Sequence, residues 1–265
     1  MELEKTIEET IANHDLLGKK DKVAVAYSGG KDSTTLLHIL KKLGFCPEAL
    51  TVDVGIKPWS EKNIENIQAY CESQEIPLTV ISMEEEIGAN MEEINRKIEL
   101  KPCTSCGILK KWLLNKTALQ KRFDAIATGH NLDDEAQTVI MNIMDGKPGL
   151  NQTLGPKSRS RKGFVTRIKP LYFCHEKEIK AYSRKQGFPV QYEPCPLSES
   201  AYRKEVREML DRLEDVRATI KEDIVKQFLK TRKGPSGQTE NCINCGSPSR
   251  KGKCSACKIT EGLNG

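Results

Sequence analysis

The sequence predicts an α/β fold: a parallel sheet covered by helices on both faces, then a C-terminal helical segment and a small metal-binding knuckle. Three observations predict it. Short apolar runs alternate with helical stretches between residues 22 and 186, the pattern of a sheet buried on both faces. A glycine turn, Ser28-Gly29-Gly30-Lys31-Asp32-Ser33, joins the first apolar run to a helical pattern. Two CxxC pairs, Cys242/Cys245 and Cys254/Cys257, stand eight residues apart.

The elements follow in order. Leu3, Ile7, Ile11 and Leu16 among charges predict an amphipathic helix over 2–17. Residues 22–27 read as strand one, and the helix after the glycine turn ends near Gly44. Residues 49–54 read as strand two. A helix over 60–74 follows, with Ser60 as its N-cap. Residues 77–81 are strand three, and 84–98 an acidic helix or a mobile excursion. A basic helix covers 108–121, strand four 124–128 and a helix 133–143. Residues 164–168 are strand five, followed by a helix over 176–186. Residues 199–231 carry Val206, Met209, Leu210, Leu213, Val216, Ile220, Ile224 and Phe228 at helical spacing, a stripe that packs on the core or makes a homodimer. Gly234-Pro235-Ser236-Gly237 then breaks the pattern. The expected domains are an N-terminal helix (1–20), a catalytic domain (21–198), a helical segment (199–235) and a zinc module (240–265).

The chain has 265 residues, 37% apolar and 30% charged, with a net charge of +5. No run is long enough for a membrane span, and residues 1–15 are too acidic and polar for a signal peptide. A cytoplasmic protein is expected. Between Lys101 and Pro170 thirteen Lys/Arg face five Asp/Glu. That concentrated basic stretch suits a polyanion such as RNA; the bland alternative is a solvated surface.

The glycine turn makes an anion site. Gly29 and Gly30 let the backbone approach a ligand, and the first N–H groups of the next helix lack internal partners. Ser28 and Ser33 add hydroxyls and Lys31 a charge. The Walker pattern is absent, because the glycines are adjacent and Asp32 follows the lysine.

Four thiolates in two knuckles fit tetrahedral zinc, and few apolar residues lie in the tail to fold it by burial. Arg250, Lys251 and Lys253 would let it touch RNA. Cys103 and Cys106 form another CxxC, and Cys195 lies between Pro194 and Pro196. Three thiolates suit an iron–sulfur cluster with one open iron, or persulfide chemistry with a resolving cysteine. Zinc with a distant fourth ligand is the structural alternative. Cys46, Cys71 and Cys174 have apolar surroundings and receive no role.

The hexapeptide at 28–33 resembles the PP-loop of N-type ATP pyrophosphatases, whose core is HUP/Rossmann-like. That resemblance implies ATP cleavage between the α and β phosphates. With PCTSCG at 102–107, TGHNLDDEAQ at 128–137, EPCP at 193–196 and the double CxxC tail, the chain resembles the tRNA 2-thiouridine synthetases of archaea and thermophilic bacteria, the TtuA/NcsA group. The resemblance implies a 4Fe-4S cluster on Cys103, Cys106 and Cys195, and zinc on Cys242, Cys245, Cys254 and Cys257. It departs at one place: such proteins typically begin with a zinc finger, whereas residues 1–20 hold no Cys and one His, His14.

On this reading the PP-loop, Ser28 to Ser33, holds the phosphates of ATP. Mg²⁺ lies by Asp32 and Asp134. Adenine lies against Ala26 and Val52, and ribose near Gly129. Asp53 is an adenosine contact or a strand-end structural residue. Lys110 steadies an oxyanion or phosphate, or is merely solvated. Asp133 is a cap or a functional partner of Asp134, and His130 a packed histidine or a direct participant. The stretch 157–169, with Arg159, Arg161, Lys162 and Arg167, steers tRNA phosphates or forms a solvated loop. Sulfur comes from a thiocarboxylated ubiquitin-like carrier or free sulfide. The competing functions are an RNA thiolase working by persulfide or disulfide chemistry, and a non-catalytic zinc-containing RNA-binding protein. A small-molecule synthetase ranks last, since no glutaminase segment is evident.

Overall fold

The computed structural model describes residues 2–198, 201–232, 240–249 and 252–263. In chain order the elements are α1 (Glu2–Asn13), β1 (Val23–Ala26), α2 (Lys31–Lys42), β2 (Glu48–Asp53), α3 (Trp59–Ser73) and β3 (Leu78–Ser82). Next come α4 (Met83–Ile87), α5 (Met91–Lys97), α6 (Pro102–Gln120), β4 (Ala125–Ala127), α7 (Leu132–Met144), β5 (Thr166–Ile168) and α8 (Glu176–Gln186). The remainder is α9 (Ala201–Val216), α10 (Ile220–Thr231), β6 (Glu240–Asn241), β7 (Pro248–Ser249) and α11 (Ser255–Gly262).

Five strands form one sheet in the order β3-β2-β1-β4-β5, with every pairing parallel. β1 reads Val-Ala-Val-Ala and is buried on both faces up to its last residue, as an inner strand of a covered sheet must be. The strand order reverses direction between β1 and β4. A crevice opens at that switch point, beyond the carboxyl ends of the strands. The glycine turn follows β1, and Gly129-His130 follow β4, so both lie at its lip.

One core cluster joins α1 (Leu3, Ile7, Ile11) to β1, α2 and the Ile179/Tyr182 face of α8. A second joins Met83, Met91, Ile94, Leu109 and Leu113 to the tail residues Cys242, Cys254, Cys257, Ile259 and Leu263. The tail's apolar residues are few, but they reach α5 and α6, so the tail combines burial with its cysteine cluster. A third cluster packs α9 and α10 on α7 through Val206, Leu210, Val225, Leu132, Ala136 and Tyr172. Of the stripe at 199–231, Val206, Met209, Leu210 and Ile224 pack on the core, whereas Leu213 and Val216 stay exposed.

Several sequence expectations need correction. Ser60 is not a cap: Pro58 holds that position, and the Ser60 hydroxyl is buried inside the first turn of α3 without a partner. The excursion at 84–98 is two short helices, each begun by a side-chain cap, Ser82 and Asn90. The basic helix starts six residues early, because Pro102 at its first turn needs no N–H partner. The N-terminal helix stops at Asn13, and 199–231 contains two helices rather than one. The expected breaker at 234–237, with Arg250 and Lys251, lies outside the described residues.

Candidate active site and metal centres

The glycine turn is built by a close approach of two backbones. Gly29 adopts φ +77°, where a side chain is strained and would also overlap Asn63. The Asn63 amide donates to the Ser28 carbonyl at 3.2 Å and holds the turn against α3. Gly30 is the extended N-cap of α2 and offers no capping side chain. The first N–H groups of α2 are left for an anion. Ser28 and Ser33 lie hydroxyl to hydroxyl at 3.1 Å, beside those donors. A Cβ at Gly129 would sit 2.9 Å from the Ser33 nitrogen, so β4 can end here only with glycine or a shift of α2.

Ionised groups ring the turn. Lys31 Nζ lies 2.8 Å from Asp32 and 2.8 Å from Glu176 at the start of α8. Burial opposes its charge, but the two carboxylates outweigh that and raise its pKa. Burial pushes the Asp32 carboxyl upward; Lys31 and Asn131 pull it down, and the nearby Asp134 charge pushes it up again. Asp32 and Asp134 thus sense one another across the crevice. Two facing carboxylates beside an anion site fit a hard cation such as Mg²⁺. Asp134 also meets Arg203 at 3.4 Å, and Arg207 meets Glu176 at 3.5 Å.

Asp133 separates from Asp134. One oxygen accepts the Glu176 backbone N–H at 2.7 Å; the other meets Lys221 Nζ at 2.6 Å. Lys221 is 4% exposed and also pairs with Asp211 and Glu214. Asp133 is a buried fastener between α7, α8 and α10. Asp53 accepts the Gly55 N–H at 2.9 Å and shapes the exit of β2. Ala26 ends β1 opposite Leu50, and Val52 lies in β2 two residues further along.

His130 bonds Thr128 Oγ1 at 3.0 Å. It keeps solvent access yet is surrounded by protein, as befits a concave wall. Burial, then the charges of Lys169, Lys111, Arg203 and Arg167, hold its imidazole down to about 3, so it is neutral. Burial and the same cations also lower the Lys111 ammonium. Four cations around one neutral ring, beside an anion site, make a basic wall.

α6 carries the second constellation. At 3.6 residues per turn, Cys103, Cys106 and Lys110 share one stripe. Burial raises the Cys106 thiol; Lys110 pulls it down, while Cys195 and Cys103 raise it further. Lys110, Cys195 and Cys103 are thus near enough to Cys106 to act on its thiol. Cys195 is delivered by a loop that Trp59 holds through its indole N–H to the Glu193 carbonyl, 3.2 Å. Cys103 is exposed, and Cys106 and Cys195 are half-buried in the cluster that holds Ile108, Trp112 and Leu197. Among the described residues only the tail cysteines bring three or more sulfurs within 4.8 Å of one another, so it is the donor set of three thiols that suits a cluster with an open corner.

The tail holds the third. The sulfurs of Cys242, Cys245, Cys254 and Cys257 lie within 4.8 Å of one another. The Cys242 sulfur accepts the Cys254 N–H at 3.3 Å, and the Cys254 sulfur accepts the Cys257 N–H at 3.4 Å. Burial opposes ionisation of Cys242, but the backbone N–H groups of Cys254, Cys245 and Asn244 bring it down to about 6. The donor set fits tetrahedral zinc. Lys253 pairs with Glu261 at 2.8 Å rather than standing free.

Sequence reasoning did not single out Asn131, Glu176, Arg203, Arg207, Lys111 or Lys221. Only Asn131 left a local signal, as the cap of N-x-x-D. The others reach the site through tertiary packing.

Comparison with known proteins shows the family and the fold. A tRNA-5-methyluridine(54) 2-sulfurtransferase of Pyrococcus horikoshii is 35% identical over 261 residues, covering 97% of this chain and 84% of that protein. The cytoplasmic tRNA 2-thiolation protein 1 of Drosophila melanogaster is 35% identical over 274 residues, covering 98% and 79%. The U34-tRNA thiolase NcsA from Methanococcus maripaludis, solved with its [4Fe-4S] cluster, superposes with a TM-score of 0.87 at 29% identity over 99% of this chain and 87% of that one. A PP-loop domain family model matches residues 1–213, the span that carries the glycine turn, the parallel sheet and the crevice residues, and the chain belongs to that family.

Proposed function

We infer that this protein is an ATP-dependent tRNA sulfurtransferase, which adenylates the C2 oxygen of a tRNA uridine and replaces that oxygen with sulfur. One observation carries the reading. α6 presents Cys103, Cys106 and Lys110 on one stripe, while its next residue, Lys111, belongs to the cation group around His130 beside the PP-loop. The likeness to proteins named as tRNA 2-thiolating enzymes supports it.

The residues divide the work. The free N–H groups of α2, with Ser28, Gly29, Gly30, Lys31 and Ser33, bind the triphosphate. Ala26 and Val52 take adenine, and Gly129 allows the ribose to approach. Asp32 and Asp134 would hold Mg²⁺, which would neutralise phosphate charge when bound. The uridine C2 oxygen attacks the α-phosphorus, the bond to the β-phosphate breaks, and pyrophosphate leaves. Sulfide then attacks C2, the C2–O bond breaks, and AMP leaves. Lys110 offers positive charge to the oxyanion that develops at C2. Cys103, Cys106 and Cys195 would hold a [4Fe-4S] cluster, which would supply a site for sulfide when bound. Zinc on the tail cysteines is structural. Lys111, Arg167 and Lys169 of the basic wall receive tRNA phosphates. The sulfur donor is a thiocarboxylated ubiquitin-like carrier or free sulfide, and the compartment is the cytoplasm. No described helix is long and apolar enough to cross a membrane.

The test is anaerobic incubation with ATP, sulfide and unmodified tRNA, followed by nucleoside mass analysis. We expect 2-thiouridine formation that requires ATP and is lost, with the visible absorbance, in Cys195→Ala. RNA mapping then reads the modified position. Thiolation by a colourless reconstituted protein would assign persulfide chemistry instead. Tight tRNA binding without pyrophosphate release would overturn the enzyme reading.

A further inference from the structure

α9 brings two arginines to the rim of the PP-loop. Arg203 and Arg207 are four residues apart, so they lie on one helix face. Each reaches the turn through one carboxylate. Arg203 meets Asp134 at 3.4 Å; that carboxylate accepts the Asn131 backbone N–H at 3.5 Å, and the Asn131 side chain donates to Asp32 at 3.1 Å. Arg207 meets Glu176 at 3.5 Å, and Glu176 meets Lys31 at 2.8 Å. Both contacts are single and long, and both guanidinium groups remain about 40% exposed. Neither contact is the short bidentate pair that arginine and carboxylate frequently form. These two arginines keep most of their donors unspent and facing the crevice rim.

The same helix is rigidly placed. Further along the same stripe, Asp211 and Glu214 grip the buried Lys221 at 2.5 and 2.7 Å, and Lys221 grips Asp133 at 2.6 Å. Val206 and Leu210 seal the adjoining face against α7. The arginines are thus held at a fixed height above the turn by a lock two turns away.

We propose that Arg203 and Arg207 form a clamp for the diphosphate end of ATP, the β and γ phosphates that leave as pyrophosphate. The proposal rests on the nucleotide reading of the PP-loop and goes beyond it by assigning the leaving-group side of the site. Cleavage between the α and β phosphates moves negative charge onto the departing oxygen. The α2 N–H groups stabilise one side of that charge, and two guanidinium forks from α9 stabilise the other. Arrival of the triphosphate gives each arginine a better acceptor than its long carboxylate contact. Asp134 and Glu176 are then released from them.

The test compares the full-length protein with Arg203→Ala, Arg207→Ala and Arg203→Lys, and with Arg212→Ala, exposed on the same helix, as control. Calorimetry with ATP, pyrophosphate and AMP in the presence of Mg²⁺ is combined with tRNA-dependent pyrophosphate release. We expect ATP and pyrophosphate affinity to fall at least tenfold in each alanine variant, AMP affinity to stay unchanged, and pyrophosphate release to fall about 100-fold. Arg203→Lys should recover part of the ATP affinity, and Arg212→Ala should match wild type. Variants that bind ATP and pyrophosphate as wild type does overturn the clamp alone. Variants that weaken only tRNA, with a shallower salt dependence, overturn it in favour of an RNA contact. A wild-type protein that binds neither ATP nor pyrophosphate overturns the nucleotide reading and the clamp together.

Discussion

The side-chain amide of Asn131 donates to the Asp32 carboxylate at 3.1 Å, across the crevice between the ends of β4 and β1. The same side chain caps α7 by accepting the Asp134 N–H at 3.0 Å. One buried residue therefore fastens the helix that carries Asp134 to the first turn of the helix that follows the PP-loop. Asn131→Ala should cost about 1 kcal/mol through the lost cap. It should also free the Asp32 carboxylate, weakening Mg²⁺-ATP binding. Asn131→Asp should keep the cap but place a charge against Asp32, so calorimetry should show weaker ATP binding with a smaller loss of melting temperature.

Gly129→Ala tests the close approach of β4 to α2. The added Cβ would lie 2.9 Å from the Ser33 nitrogen and 3.1 Å from the Asp32 carbonyl carbon, neither of which belongs to a flexible side-chain end. Overpacking of this kind costs about 1–3 kcal/mol. The shift must fall on the residues that bind phosphate, so ATP affinity should drop by more than the stability loss explains. Denaturant melts and ATP titration of the same sample check this.

Lys221→Met leaves Asp133, Asp211 and Glu214 facing one another without their cation. Removing one partner of a buried ion pair costs about 3–5 kcal/mol. Chemical denaturation should show that loss, and hydrogen exchange should rise in α9 and α10 before it rises in the sheet. If α9 keeps its protection in the variant, the buried pairs are not what holds it.

His130 gives a pH prediction. Its folded pKa is depressed to about 3 from an ordinary 6.5. Between those values the unfolded chain binds the extra proton, so the contribution to stability is full above pH 6.5 and declines as pH falls toward 3. His130→Gln should flatten the acid limb of the melting temperature over that window. In wild type, the His130 ring resonances should stay at their neutral position from pH 8 to pH 4; a midpoint near 6.5 would contradict the basic wall described above.

Metal removal from the tail should be felt in the body. Cys242, Cys254 and Cys257 share one cluster with Ile94, Leu109 and Leu113, and α11 packs on α6. Binding of structural zinc contributes about 10–16 kcal/mol in small knuckle peptides, so little of the tail's order should outlast a chelator. Hydrogen exchange after chelation should accelerate over 240–263 and over the α6 segment that carries Cys103 and Cys106. Acceleration confined to the tail would show that the packing does not couple the two centres.

Much of this was legible locally. The glycine turn, the apolar strands and the paired CxxC motifs each carry their chemistry in consecutive residues, so periodicity and spacing suffice to read them. The α6 stripe is only half legible: Cys103 and Cys106 stand out, but the basic helical pattern begins at residue 108, six residues after the helix starts at Pro102. Ser60 shows the opposite failure. A serine at a helix start reads as a cap, yet the chain enters α3 one residue earlier and buries that hydroxyl.

The sequence by itself determined the kinds of group present: a glycine turn with the pattern of a phosphate site, acidic residues beside it, and seven cysteines in metal-binding patterns. Tertiary structure decided which of them work together. Asp133 and Asp134 are adjacent in sequence but point to different tasks, because successive helix residues are about 100° apart and only one of the two faces the crevice. Arg203 and Arg207 lie some 170 residues beyond the glycine turn, and no local pattern marks them. Packing of α9 and α10 on α7, sealed by Lys221, brings them there. Long-range placement of that kind depends on which faces bury against each other, a property of the whole fold rather than of any one segment.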